Sequence, residues 1–184
     1  MADELIEIFD ENNYPLNQQM MKIKAHQNGL WHRAVHIWVY NSNGDILLQL
    51  RSKIKDLYPK MWEISATGHV SVGEEPIISA LREIKEEIGL SINENDLNFF
   101  QIRKQKSIYK KIINNEFYYV FFYKYDGDIS KLKLQKEEVE EIRFIPLDDI
   151  EIELKNNSEK YIPYGEYWFD IIKEIRSKKI PKNR

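Results

Sequence analysis

Residues 68–90, GHVSVGEEPIISALREIKEEIGL, constrain the fold of this chain more than any other stretch of its sequence. Pro76 suits the first turn of a helix, where its missing N–H is no loss, and Gly89 suits the left-handed residue that ends one. The stretch therefore predicts a helix over Pro76–Ile88. Its apolar residues recur at helical spacing and fall on one arc, which we expect to be buried. They are Ile77, Leu81, Ile84 and Ile88.

Three glutamates of the same helix follow the spacing i, i+3, i+4, so they share one ridge, which we expect to lie opposite the apolar arc. They are Glu83, Glu86 and Glu87. Their charges repel one another, and Arg82 can neutralise only part of them. Mg²⁺ binds a few carboxylates together with waters and substrate phosphates, and it would neutralise the rest. From the residues alone two interpretations stay open, a solvated acidic helix surface and a metal site.

The spacing of charged residues and glycines in this stretch resembles the Nudix box, G-x5-E-x7-R-E-U-x-E-E-x-G-U with U a bulky aliphatic residue, and every specified position is filled. The resemblance implies a hydrolase that cleaves a diphosphate linked to another moiety, with Mg²⁺ or Mn²⁺ as cofactor. It implies that the three glutamates are metal ligands and that Glu86, Glu87 and Arg82 belong to the catalytic set. It also implies that Glu74 and Arg82 orient the loop and the helix. Gly68 would provide a tight turn and a carbonyl oxygen near the metal.

The composition indicates a single globular domain without a nucleic-acid or membrane partner. The chain has 184 residues, of which 42% are hydrophobic, enough for the core of one domain. Its net charge of −3 disfavours tight binding of DNA or RNA. The absence of cysteine excludes disulfides and thiolate chemistry. We expect no signal peptide and no membrane-spanning stretch, and hence a cytoplasmic protein that acts on a small molecule. A homodimer is left open.

The remaining sequence predicts β-strands on both sides of the helix. Two runs rich in β-branched and aromatic residues, Trp31–Tyr40 and 45–50, flank an NSNG turn and predict a hairpin. A second pair of strands is predicted around a turn at Asn114 and Asn115. This pair covers 97–109 and 117–125. The other predicted strands cover 5–9, 61–66 and 141–145, and the other predicted helices cover 17–26, 147–154 and 167–176.

This order of elements suits helices packed on a mixed sheet, an α/β (α+β) fold. The Nudix resemblance implies an α/β/α sandwich in which the box helix lies against the sheet. We interpret residues 1–184 as one domain. An N-terminal hairpin extension would occupy about residues 1–30, and a basic C-terminal tail would occupy about residues 177–184.

Outside the box, four segments resemble Nudix proteins related to isopentenyl-diphosphate isomerase: HRAVHIWVYN, ILLQLRS, YPKMWEIS and NNEFYYVFF. In the isomerases, histidines and glutamates hold a metal ion. The matching positions here are His32, His69 and Glu116, with His26 close to a further one. The resemblance implies a mixed site for Mg²⁺ or a transition metal at these residues. Against it stands the ordinary observation that strand histidines are more often packed or surface residues than ligands.

Two positions depart from the isomerase pattern. Thr67 stands where the isomerase has the cysteine that transfers a proton, and a hydroxyl cannot supply a thiolate. Asn114 stands where a second glutamate ligand is expected. We therefore favour hydrolysis of a nucleoside diphosphate derivative or a related organic diphosphate. An isomerase-like enzyme and a non-catalytic nucleotide-sensing domain remain as alternatives.

Further candidates come from charged segments outside the box. Arg51 and Lys60, at the ends of the charged loop that follows the first hairpin, are candidates for binding the substrate, together with His69. Glu138 lies in the acidic run EEVEE, which is most simply a solvated loop and strand edge. Nudix enzymes sometimes take a general base from this region, so the proton of the attacking water is assigned either to Glu86 or to a loop carboxylate such as Glu138.

Overall fold

The structure, a computed structural model, describes residues 3–110 and 112–179. Within these ranges the chain forms one nine-stranded sheet and four α-helices. The strands are β1 (Leu5–Phe9), β2 (Pro15–Met21), β3 (Trp31–Tyr40), β4 (Ile46–Arg51), β5 (Trp62–Glu63), β6 (Ala66–His69), β7 (Asn98–Tyr109), β8 (Ile112–Lys124) and β9 (Val139–Ile145). The helices are α1 (Lys22–Asn28), α2 (Pro76–Ile88), α3 (Leu147–Asn156) and α4 (Glu166–Lys179). Residues 180–184, most of the predicted basic tail, lie outside the described ranges.

Strand β3 is the centre of the sheet, which is mixed as predicted. It pairs in parallel with β8 along its whole length and antiparallel with β6. Strand β7 pairs with β8, and β4 pairs with β5 and β9. Strands β3 and β4 pair with each other only next to the turn that connects them. Beyond that turn the two strands separate and take different partners.

Side chains that alternate along β3 build a separate core on each face of the sheet. Ala34 and Trp38 pack with α3 and α4 on one face. Val35, Ile37 and Val39 pack with α2 on the other face. Helices therefore cover both faces, and the predicted α/β/α layering is confirmed. Among the described helices, none combines the length and the apolar character needed to cross a membrane.

Helix α2 has the predicted bounds and the predicted stop. Gly89 is left-handed, with φ at 72°, and its N–H closes the last turn. Ile84 and Ile88 are buried as expected, but Glu83 and Glu87 are buried too. The expectation that these glutamates lie opposite the apolar arc is wrong, because each lies only about 100° round the helix from the isoleucine that follows it. They consequently face the strands rather than solvent.

The helix predicted over 17–26 is wrong in its first half. Residues Pro15–Met21 form β2, which completes the N-terminal hairpin with β1, and α1 begins only at Lys22. The segment PLNQQMM has no clear apolar period, so pairing with the backbone of β1 decides its conformation. The hairpin and α1 then pack together around Ile6 and Ile8.

Two boundaries also differ from the prediction. The turn expected at Asn114 and Asn115 lies inside β8, and the hairpin reverses at Lys110, whose φ is 55°. The Asn115 side chain donates to the carbonyl of the glycine that ends α1, at 2.7 Å, a tertiary contact that a local pattern cannot reveal. The single strand predicted over 61–66 is split into β5 and β6. The Ser65 hydroxyl lies between them and bonds to the backbones of β3 and β4.

Candidate functional site

A cavity of about 760 Å³ lies where β3 and β4 separate, beside α2. Its lining includes eight carboxylate residues, which are Glu4, Asp56, Glu63, Glu83, Glu86, Glu87, Glu116 and Glu138. It includes four lysines and arginines, which are Lys22, Arg51, Lys55 and Arg82. The carboxylates therefore outnumber the lysines and arginines by four. An anionic ligand can enter such a cavity favourably only when further cations accompany it.

The two buried glutamates of α2 are held against the neighbouring strands. The Glu83 carboxylate lies over Gly68, where a Cβ atom would overlap it, so glycine is the residue that leaves room for it. Glu87 accepts hydrogen bonds from the backbone N–H of Thr67, at 2.9 Å, and from Nε2 of Gln49, at 3.1 Å. Strands β4 and β6 therefore fix both carboxylates.

Burial changes the protonation of both glutamates. Burial raises the pKa of Glu83 to about 7, although Arg82 opposes the shift. Burial, together with the negative charges of Glu63 and Glu83, raises the pKa of Glu87 well above its ordinary value. Carboxylates in such a group are costly to ionise without a cation among them. This all-oxygen donor set suits a hard cation such as Mg²⁺, so the residues fit the metal that the box implies.

Arg82 joins the loop before α2 to the helix itself. Its guanidinium lies 3.1 Å from Glu74, 2.6 Å from Glu83 and 3.5 Å from Glu86. It also donates to the backbone carbonyl of His69, at 3.1 Å. The Glu86 side chain is 53% exposed, so this third glutamate of the ridge lies at the rim of the cavity rather than inside it.

Glu63 belongs with these carboxylates, and sequence reasoning missed it. It is buried, forms an ion pair with Arg51 and accepts a hydrogen bond from Gln49 at 3.4 Å. Gln49 thus bridges Glu63 and Glu87, and we call Glu63, Glu83 and Glu87 the carboxylate cluster. The sequence did contain a signal for Glu63, which is a charged residue inside the short apolar run MWEIS. A glutamate in a buried strand is rarely without a partner, so this position indicates a paired or ligating carboxylate.

The residues predicted to bind substrate have different positions. Arg51 is buried and lines the cavity. Glu138, the predicted loop carboxylate, also lines it, and is buried in an ion pair with Lys55. Lys60 instead pairs with Glu140 at the surface, outside the cavity lining. Lys55 therefore stands in the lining where Lys60 was expected.

A second group of ligand-type side chains adjoins the same cavity, and we call it the histidine cluster. His26, His32, His69 and Glu116 bring their ligand atoms within 4.8 Å of one another. The Nε2 atoms of His26 and His32 are 3.1 Å apart. A Glu116 oxygen lies 3.3 Å from His32 and 3.4 Å from His69. Three imidazoles and one carboxylate form a donor set suited to a transition metal.

The charged groups of the histidine cluster are paired with one another and with the neighbouring Glu4. Burial opposes ionisation of Glu116, but the nearby His32 and His69 outweigh it and hold the pKa of Glu116 well below its ordinary value. Burial also opposes charge on His69, but Glu116 and Glu4 raise its pKa to about 9. Burial lowers the pKa of His26 to about 3, and the other two histidines add to this shift. A neutral imidazole is thus available as a ligand beside an ion pair.

The two positions that depart from the isomerase pattern both line the cavity. Asn114 donates from Nδ2 to Glu116, so it supports that carboxylate without adding a charge. Thr67 lies in β6, opposite His36 of β3 in the strand register. Because the sequence contains no cysteine, no other residue can supply the thiol that the isomerase has at the position of Thr67.

Comparison with known proteins gives consistent matches over most of the chain. A protein-family model described as NUDIX domain matches residues 30–165. The chain is 33% identical to Nudix hydrolase 3 of Arabidopsis thaliana, over 95% of this chain but only 24% of that protein. It is 31% identical to an uncharacterized Nudix hydrolase of Clostridium acetobutylicum, over 99% of this chain and 87% of the other.

An isopentenyl-diphosphate Delta-isomerase of Serratia proteamaculans is 29% identical, over 94% of this chain and 92% of that enzyme. A crystal structure of a Deinococcus radiodurans protein superposes with a TM-score of 0.71 at 18% identity, over 92% of this chain and 98% of that one. At that identity the superposition shows a shared fold alone. The range that matches the family model contains the carboxylate cluster and begins after His26.

Proposed function

Because the chain belongs to the Nudix family, we propose that it is a hydrolase that uses Mg²⁺ or Mn²⁺ to cleave the diphosphate bond of a nucleoside diphosphate derivative or a related organic diphosphate. The observation that carries this proposal is the carboxylate cluster, set in a cavity where carboxylates outnumber lysines and arginines by four. Such a cavity repels a diphosphate unless divalent cations enter with it.

Glu83, Glu86 and Glu87 would hold the cation, with the carbonyl oxygen of Gly68 as a further candidate ligand. When bound, Mg²⁺ offsets the charge on the diphosphate oxygens and activates water. The raised pKa values of Glu83 and Glu87 support this assignment, because a cation would keep both carboxylates ionised at neutral pH.

The side chains around these ligands position them. Arg82 holds Glu83, and it fixes the loop before α2 through its ion pair with Glu74. Gln49 holds Glu87 from β4. Arg51 carries positive charge into the same cavity. Catalysis by this arrangement consists mainly of positioning and electrostatic stabilisation.

Two carboxylates of the cavity lining can accept the proton of the attacking water, Glu86 and Glu138. Glu86 lies at the rim, where the solvent can supply the water directly. Glu138 is buried in its ion pair with Lys55 and comes from the loop before β9. We propose both residues as candidate general bases, because a general base needs a carboxylate within reach of the attacking water and both line the cavity.

We also propose that the histidine cluster holds a second divalent cation. The facing Nε2 atoms of His26 and His32, 3.1 Å apart, need either a shared proton or a metal ion between them. His69 and Glu116 complete a set of four donors, the number that a tetrahedral site requires.

An isomerase is the second candidate function. It is favoured by the histidine cluster and by the similarity to the Serratia isomerase. Against it, Thr67 occupies the position at which the resemblance implies a catalytic cysteine, and the sequence has no cysteine elsewhere. Asn114 occupies the position of a second glutamate ligand. Hydrolysis therefore comes first.

A panel of substrates tests this proposal. The purified protein is incubated with nucleoside diphosphates, dinucleotides, sugar nucleotides and prenyl diphosphates, each with Mg²⁺, with Mn²⁺ and with EDTA. We expect phosphate-bearing products from at least one compound when metal is present and none with EDTA. Binding without turnover of any compound would favour a nucleotide-sensing domain. Conversion of isopentenyl diphosphate into dimethylallyl diphosphate would favour the isomerase.

A further inference from the structure

His36 lines the same cavity but belongs to neither the carboxylate cluster nor the histidine cluster. It lies in β3, opposite Thr67 of β6, and only 2% of the residue is exposed. Its ring stacks on Tyr118 with the ring centroids 3.8 Å apart. Because buried polar groups normally have hydrogen-bond partners, the partners of the two ring nitrogens decide what this residue can do.

Two hydrogen bonds, the first of them donated by Trp38, determine which nitrogen of the His36 ring carries the proton. The Nε1–H of Trp38 donates to the hydroxyl oxygen of Tyr167 at 2.9 Å, since an indole nitrogen can only donate. The same hydroxyl lies 3.1 Å from Nδ1 of His36. Among the described residues, Nδ1 is the acceptor in reach of the Tyr167 hydroxyl hydrogen. Nδ1 therefore accepts, and Nε2 carries the ring proton.

The hydrogen bond of the His36 ring is made by Nδ1. Within the described part of the chain, Nε2–H has no hydrogen-bond partner. Since Nδ1 is turned toward α4, the Nε2 edge is the one left to the cavity. Burial lowers the pKa of His36 to about 3, and the nearby Glu116 does not reverse this shift. The cavity thus contains a neutral N–H donor without an acceptor.

Asn114 presents the complementary group to the same cavity. Its Nδ2 donates to Glu116, whereas its Oδ1 is buried and without a partner among the atoms described. His36 therefore offers an unpaired donor to the cavity, and Asn114 offers an unpaired acceptor. A ligand that carries only a hydrocarbon beyond its diphosphate would leave both groups unpaired, which is unfavourable for buried polar atoms.

We propose that His36 is a specificity-determining residue, which donates its Nε2–H to an oxygen or nitrogen acceptor on the organic moiety of the substrate and so selects polar organic diphosphates over hydrocarbon diphosphates. The inference rests on the proposed hydrolase function and narrows its substrate class. A site built to hydrogen-bond its substrate rejects an analogue without the bonding group, because the buried polar atoms of the site then stay unpaired. Tyr167 acts through His36 by holding its tautomer, and is a positioning residue.

The test compares two probes that each join a five-carbon group to a non-hydrolysable diphosphate, the methylenediphosphonates of ribose and of isopentenyl. Dissociation constants are measured by calorimetry in Mg²⁺. We expect the wild-type protein to bind the ribose probe more tightly. His36→Leu should weaken binding of the ribose probe about tenfold or more and leave the isopentenyl probe unchanged. His36→Gln should retain most of the preference, because its amide N–H can replace Nε2–H.

Two tyrosine variants control for the loss of a buried hydroxyl. Tyr167→Phe removes the hydroxyl that donates to Nδ1 of His36, and it should reduce the preference for the ribose probe less than His36→Leu does. Tyr161→Phe also removes a hydroxyl beside Trp168, but that hydroxyl bonds to Glu153 at 2.8 Å, so the preference should not change. Nitrogen-15 NMR of the imidazoles should show the Nε2–H tautomer of His36 in the wild type and a mixture in Tyr167→Phe.

An equal loss of affinity for both probes in His36→Leu, or the Nδ1–H tautomer in the wild type, would overturn the inference and leave a packing role. If His36→Leu does not fold, Tyr167→Phe and His36→Gln decide by the same two measurements. The proposed hydrolase function fails on a different result, the absence of turnover across the substrate panel. The binding comparison needs no turnover, so the two failures are distinguishable.

Discussion

The carboxylate cluster and the histidine cluster adjoin one cavity and are both largely buried. The pKa values of their buried carboxylates nevertheless shift in opposite directions. The pKa of Glu87 is raised, because its burial is reinforced by the charges of Glu63 and Glu83. The pKa of Glu116 is lowered, because two histidines outweigh its burial. The neighbours of a buried carboxylate, rather than its burial alone, therefore decide its protonation.

The two clusters should therefore respond differently when metal is absent. The histidine cluster contains its own cationic partner for Glu116 in His69, whose pKa is about 9. The carboxylate cluster has arginine partners for Glu63 and Glu83 but still leaves a net repulsion on Glu87. We therefore expect the carboxylate cluster to depend on a bound cation more strongly than the histidine cluster does.

The largest expected effect is on turnover. Glu87→Gln removes a charge from the carboxylate cluster and should lower hydrolysis about 10²-fold or more while the fold stays intact. The measurement is kcat in Mg²⁺ on the best substrate of the panel, with circular dichroism as the check on folding. Glu94→Gln, at an exposed position outside the cavity lining, is the matched control and should keep wild-type turnover. Near wild-type turnover in Glu87→Gln would contradict its assignment as a metal ligand.

The next effect is on stability as a function of pH in EDTA. The pKa of Glu83 is raised from 4.5 to about 7, so the folded state retains a proton that the unfolded state releases. The stabilising contribution is complete below pH 4.5 and is lost as the pH rises through 7, by up to about 3 kcal/mol. The pKa of His69 is raised from 6.5 to about 9, so its contribution is lost between pH 6.5 and 9.

Urea unfolding in EDTA at pH 5, 7 and 9 measures these two windows. Relative to Glu83→Gln, the wild type should lose free energy of unfolding mainly between pH 5 and 7. Relative to His69→Gln, it should lose it mainly between pH 7 and 9. If the free energies of unfolding of both variants differ from that of the wild type over the same pH window, the proposed difference between the two clusters is wrong.

A smaller effect is expected on melting temperature when metal is added. A ligand that binds only the folded state stabilises it by about 2.7 kcal/mol at a hundredfold excess over Kd, which for a domain of this size raises Tm by several degrees. The shift should be small with Mg²⁺ alone and larger with Mg²⁺ plus a non-hydrolysable diphosphate.

The same thermal series on Glu83→Gln/Glu87→Gln identifies where the ion binds. The double variant should show no shift. If it gains as much as the wild type, the ion binds elsewhere, and the histidine cluster is the first place to look. A parallel series on His32→Gln then shows whether the shift has moved to that cluster.

The last prediction is that a single substitution does not create isomerase activity. Thr67→Cys brings a thiol to the cavity, but Asn114 still stands where the isomerase resemblance implies a second glutamate, so no isomerase activity should appear. Thr67→Cys/Asn114→Glu is assayed in parallel, with NMR detection of dimethylallyl diphosphate. Robust isomerisation by the wild-type protein would reverse the order of the two candidate functions.

The fold was predictable where its signals act on their own neighbourhood. Pro76 and Gly89 bound α2 correctly because each acts through its own backbone conformation. The turn expected at Asn114 and Asn115 was wrong because Asn115 lies within β8, where its side chain donates to the carbonyl of Gly29, 86 residues away in the sequence. Strand β2 was missed because its conformation depends on pairing with β1, which no period in PLNQQMM indicates.

Residue identity and a spacing of four residues or fewer are enough to place three glutamates on one helix and to exclude thiol chemistry. The tertiary structure decided which residues surround them. Gln49 of β4 contacts Glu87, and the charge of Glu63 in β5 raises the pKa of Glu87. Tyr167 contacts His36 from 131 residues away in the sequence. Helical neighbours are set by hydrogen bonds within one turn, whereas strand register and layer packing join residues at any separation. The three glutamates could therefore be placed on one helix from their spacing, but the groups that hold and tune them could not be predicted.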